Sequence, residues 1–192
     1  MTLLVLGLLM FLGVHSVRIF GDGWRTQVRG RLGEGGWKGA YSVLSLLGFV
    51  LLVWGFGGAR QHPVVLWTPP LWTRHLAALL TLPAFVLLFA SQIPGNSIKA
   101  RLKHPMVLGV KLWALAHLLA NGTLAHLVLF GSFLLWAVLS YRAARQRDRR
   151  DATVYAAGRT GPTLLALAVG VVAWAVFAFW AHGWLIGVRP FG

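Results

Sequence analysis

Lys103 to Gly131 reads KHPMVLGVKLWALAHLLANGTLAHLVLFG. Three of the seven histidines of the chain stand in it, together with Lys111, among residues that are otherwise mostly apolar. Pro105 suits the first position of a helix, because its missing N–H would have no intrahelical partner there. Asn121-Gly122 makes a tight turn. The stretch therefore divides into a helix over about 105–121 and the first turns of another over about 123–142. An ionisable side chain at bilayer depth is costly, so His104, Lys111, His117 and His126 mark this segment as a functional candidate. Each histidine taken singly also suits an interfacial position or a hydrogen bond to a neighbouring helix. Their clustering is what favours function.

Composition sets the class. The 192 residues are 57% hydrophobic and 11% charged, with a mean hydropathy of +0.70. A soluble domain carries about 25% charged residues, so an integral membrane protein is expected. The net charge of +14 would suggest nucleic acid in a soluble protein. Here the basic residues fall in short stretches between apolar segments, where they read as topology signals and contacts to anionic lipid, and no nucleic-acid partner is expected. The chain has no cysteine, which excludes disulfides, iron–sulfur clusters, thiolate-ligated haem and a cysteine nucleophile.

Working outward, the pattern predicts a single all-α domain over 1–192, a bundle of about six transmembrane helices at roughly 2–20, 37–56, 71–90, 105–121, 123–142 and 162–181. The first segment lacks a basic leader region and a small-residue cleavage pattern, so it reads as a retained helix. Within it His15 and Arg18 share one face. Between the first two spans, GDGWRTQVRGRLGEGGWKGA is Gly-rich and basic and reads as a loop. Pro63, Pro69, Pro70 and two tryptophans mark an interfacial excursion before the third span, which holds Pro83. The Arg-rich run at 141–163 reads as a water-exposed loop on a membrane surface. Of the eighteen Lys and Arg residues, all but Arg60, Arg74 and Arg189 fall on one side of the six spans. That asymmetry predicts an inner or plasma membrane location with three basic loops in the cytoplasm and both termini outside.

The segments FLGVHSVR, RLGEGGWKGAYSVLSLLGF, KHPMVLGVKLWALAHLLANG and HGWLIGVRPF together resemble the NnrU family of membrane proteins over nearly the whole chain. The KHPMVLGVKLWALAHLLANG block also resembles the plastid 15-cis-zeta-carotene isomerase, a haem b protein with two histidine axial ligands. The resemblance implies haem b held by His15 and His117, with a role in redox or nitrogen-oxide chemistry of the denitrifying kind. Membrane lipids and a respiratory or denitrification protein are the partners it implies. Neutral imidazole from two facing helices suits such a centre, and Phe, Leu and Trp keep it dry. Arg18 and Lys111 are candidates for pairing with the haem propionates. Helix rise places the two imidazoles at heights differing by about 8 Å, which a tilt absorbs. His104 lies about 140° round the helix from His117, so it reads as a cap, a propionate partner or a group supporting a ligand.

Three other readings stand beside this one. The first is haem-dependent cis–trans isomerisation of a carotenoid-like polyene. The resemblance implies a cysteine three residues before the second ligand, and Ala114 stands there. The second is a membrane methyltransferase, faintly suggested by KHPMVLG. Only Asp22, Glu34, Asp148 and Asp151 are acidic, and none lies in a span where it could hold an aminoacyl cofactor group. The third is a scaffold bundle with no cofactor.

Overall fold

A computed structural model describes residues 1–191. Its described residues are helical throughout apart from short connections, with no strand. The helices are α1 (Thr2–Phe20), α2 (Asp22–Ala59), α3 (Trp72–Gln92), α4 (Ser97–Leu102), α5 (Pro105–Ala120), α6 (Leu124–Arg150) and α7 (Thr160–Val176), which runs through a π turn at Phe177–Ala181 into α8 (His182–Ile186). Five helices are long and apolar enough to cross a membrane, α7 being counted through to Ile186. The sixth expected span, α5, has 16 residues, about 24 Å of rise against a hydrocarbon core of about 30 Å. It packs between α3 and α6.

The helices pack in the order α2, α1, α6, α5, α3, α7. Apolar side chains are as common in lipid as in the bundle, so close packing of small residues has to hold the helices together. Ala84, Ala90, Ala114, Ala116, Ala137 and Ala166 are accordingly buried at the contacts, while Leu9, Trp54, Leu79 and Leu135 project outward. The core centres on Leu4, Leu8, Leu52, Leu129 and Phe130.

Three segments expected as loops are helical. Asp22 to Leu32 continues α2, with Asp22 in the first turn facing Arg25 at 3.8 Å, where a carboxylate favours the helix N-terminus. The break falls at Gly33, whose φ of 70° and ψ of 170° no side-chain-bearing residue adopts readily. At the other end of the chain order, α6 runs on to Arg150, because Ala, Arg and Gln are strong helix formers even in water. Ser97 to Leu102 forms α4, capped by the Asn96 side chain, which accepts from the Lys99 N–H at 2.7 Å.

The loops tie the two ends of the bundle. At the end away from the basic loops, Leu66 and Trp67 N–H groups donate to the Gly122 carbonyl at 2.8 and 3.1 Å. At the basic end, Arg159 N–H donates to the Gly95 carbonyl at 2.8 Å, and Ser97 N–H to the Thr163 hydroxyl at 2.8 Å. These contacts place residues 151–159 beside α4 and the start of α5.

Candidate functional site

At the basic end, α1, α2, α6 and the 151–159 loop enclose a cavity of about 730 Å³. Its apolar and aromatic part is lined by Val14, His15, Tyr41 and Trp136, and its charged mouth by Arg18, Arg25, Arg29, Lys38 and Arg147 with the acids Glu34, Asp148 and Asp151 among them. The taper from apolar and aromatic to cationic follows from the helices themselves. Along α1 and α6 the lining residues run from His15 to Arg18 and from Trp136 to Arg147, out of the apolar span into the basic tail.

His15 is partly buried among aromatic rings. Its ring centroid lies 4.3 Å from Phe11, 5.3 Å from Tyr41 and 6.2 Å from Trp136. Nδ1 donates to the Phe11 carbonyl at 2.7 Å. A carbonyl only accepts, so this bond fixes the proton on Nδ1 and leaves a lone pair on Nε2, the form in which histidine ligates metals. Nearby, the Trp136 indole N–H is buried with no hydrogen-bond partner among the described residues.

His117 shows the same local chemistry in another place. Its Nδ1 donates to the Trp113 carbonyl at 2.8 Å, which again leaves Nε2 as a lone-pair donor. The ring stacks on Phe130 at 4.5 Å and meets Trp113 at 5.2 Å. It does not line the cavity. Between the two imidazoles runs a chain of rings: Phe11 to Phe133 at 6.0 Å, then Phe133 to Trp113 at 5.4 Å. Trp136, which touches His15, and Phe130, which touches His117, are six residues apart on α6, about 9 Å of rise. Two imidazole nitrogens on one metal stand about 4 Å apart, at about 2 Å per bond.

His104 lies at the cavity mouth, where its Nε2–H donates to Asp148 Oδ2 at 2.9 Å. The same carboxylate accepts from Arg145 at 3.2 Å and from the Tyr155 hydroxyl at 3.0 Å. His104 is thus held by a carboxylate as well as standing at the N-cap of α5. Lys111 is away from the cavity, its ammonium 4.6 Å from the Tyr141 ring centroid, where the ring face attracts a cation. Of the five residues named from the sequence, the cavity gathers His15, Arg18 and His104 and leaves out His117 and Lys111. Sequence reasoning missed Tyr41, Trp136 and Arg147.

The cavity suits a porphyrin in part. One proton-free imidazole nitrogen, an apolar aromatic interior and a guanidinium-rich mouth match an iron, a macrocycle and its acid groups. His15 and His117 share no ring contact in this packing, and the ring contacts that link them pass through Phe11, Phe133 and Trp113.

The fold and cavity define a multi-pass, all-α integral membrane protein with a polar-mouthed internal site. The NnrU protein family model matches residues 3–190, and the chain belongs to that family. No curated protein and no solved structure gives a match.

Proposed function

We propose that this NnrU-family chain is a haem b-binding membrane protein serving redox or nitrogen-oxide chemistry, in which His15 would hold the iron. The observation that carries the reading is the lone pair of His15 Nε2, fixed by the Phe11 carbonyl, in an aromatic cavity with a cationic mouth. Bound there, the haem would supply a one-electron iron couple. The chain's own part is to hold His15 in one tautomer, to keep water from the deep end with Phe11, Tyr41 and Trp136, and to meet acid groups with Arg18. His117, whose Nε2 is left as a lone-pair donor in the same way, belongs to the same proposal as a second residue that would hold the iron. The reading needs only His15 as the packing stands.

A cavity that opens among arginines suits a ligand bearing acid groups better than a long apolar polyene. The test is to quantify haem b in the detergent-purified protein by its pyridine haemochrome. About one haem per chain is expected, and purified protein that neither carries nor takes up haem b would refute the proposal.

A further inference from the structure

The cavity mouth holds two guanidinium groups, those of Arg18 and Arg147, that make no direct ion pair with a carboxylate among the described residues. All four acids are ion-paired with other basic residues, although Glu34, Asp148 and Asp151 also line the cavity. Asp22 lies 3.8 Å from Arg25, and Glu34 lies 2.8 Å from Lys38 and 3.6 Å from Arg29. Asp148 is taken by His104 and Arg145, and Asp151 by Arg150 at 2.8 Å. Among the described residues no carboxylate comes within salt-bridge distance of Arg18 or Arg147. The Arg147 side chain is nevertheless held against the residue that carries the other, since its Nη1–H donates to the Arg18 main-chain carbonyl at 3.0 Å across the α1–α6 contact.

Capping the last turn of α1 accounts for that one N–H. It leaves the rest of the Arg147 fork and the Arg18 guanidinium without a directly bonded carboxylate among the described residues. Like charges brought together at the edge of an apolar span repel, and the repulsion is relieved by a group with two or more negative oxygens. An arginine fork matches a carboxylate with two parallel N–H donors.

We propose that Arg18 and Arg147 form the acid-anchoring end of the cavity and grip the carboxylates of an amphiphilic dicarboxylate whose apolar body lies toward Val14 and Trp136. The proposal rests on the reading of the cavity as a porphyrin site and adds to it the groups that hold the acid side chains. Arg147 is the new member, reached from α6 rather than from the helix that carries His15.

The test uses the full chain in detergent, titrated with metal-free protoporphyrin IX and with its dimethyl ester, followed by quenching of tryptophan fluorescence. The diacid is expected to bind at least about tenfold more tightly than the ester, with the difference shrinking as salt is raised. Arg18→Gln and Arg147→Gln should each lower diacid affinity by about tenfold and leave ester affinity unchanged, so the ester also reports whether each variant is folded. Arg147→Lys should recover part of the loss. Equal binding of acid and ester, an intact preference in both glutamine variants, or no porphyrin binding at all would overturn the proposal. The metal-free ring needs no imidazole, which separates the two readings. A preference for the diacid that survives alongside haem binding indifferent to His15→Ala refutes the His15 assignment alone. Haem bound through His15 with no preference for the acid form refutes this inference alone.

Discussion

The Asp148 carboxylate accepts the Nε2–H of His104 at 2.9 Å, and this bond fastens the basic end of α6 to the residue that opens α5. Arg145 and Tyr155 complete the same carboxylate, so one acid holds two helices and the 151–159 loop at the rim of the cavity. A hydrogen bond to a charged group contributes about 1.5–3 kcal/mol, and the cost rises when its buried partners are left unpaired.

Asp148→Asn is therefore expected to destabilise the protein by about 1–3 kcal/mol. The readout is thermal unfolding in detergent. His104→Ala should cost a similar amount and combine with Asp148→Asn less than additively, because the two share one interaction. Strict additivity in the double variant would show that the pair does not act as a unit.

Tyr155 links the same cluster to pH. Burial, and after it the hydrogen bond and negative charge of Asp148, hold its phenol above the ordinary tyrosine value. A raised acid of this kind contributes stability that is complete below the unfolded value, about 10, and is lost as pH rises through the folded one. Heating scans should thus show stability falling above about pH 10, and Tyr155→Phe should flatten part of that fall. An unchanged alkaline slope in Tyr155→Phe would remove this role.

The contact of α1 with α2 depends on glycine. A Cβ on Gly48 would lie 2.7 Å from the Phe11 amide nitrogen, and one on Gly55 would meet the Leu4 backbone. Gly48→Val is expected to cost about 1–3 kcal/mol and to shift Phe11, the residue whose carbonyl orients His15. Monodispersity and melting temperature in detergent report the first effect. A Gly48→Val protein as stable as the wild type would mean that the helices can separate without penalty.

Much of this was readable in the sequence because the membrane imposes long apolar runs. The apolar segments could be recognised as helices, and His15 and Arg18 stood out because three residues along a helix share a face. The helical character of 22–32 was hidden, since its glycines and arginines suggest a solvated loop, and only the single left-handed Gly33 breaks it. The tail of α6 to Arg150 was hidden for a related reason: polarity says where a segment sits, not what shape it takes. Long-range pairs left no local signal at all. His104 and Asp148 are 44 residues apart, and Arg147 meets Arg18 across 129. The family resemblance could carry two histidines onto this chain, but the ring contacts that link them come from packing of α1, α5 and α6, which spacing does not reveal.

The charge asymmetry predicts the orientation of the bundle. Reporter fusions within residues 151–159 should read as cytoplasmic, and fusions at the C-terminus as external. A cytoplasmic C-terminus would mean an odd number of crossings, with the 16-residue α5 as the first suspect.

The visible absorption spectrum of the detergent-purified protein, oxidised and reduced, compared between wild type and His15→Ala at equal protein concentration, tests the haem reading most directly. A Soret band with sharp α and β bands on reduction is expected for the wild type, reduced by about tenfold or more in His15→Ala. His62→Ala and His126→Ala should keep it. Loss in His117→Ala as well would establish the bis-histidine centre, whereas retention would leave His15 as the ligand from this cavity. A wild type without a Soret band, or a His15→Ala spectrum indistinguishable from wild type, would contradict haem ligation by His15.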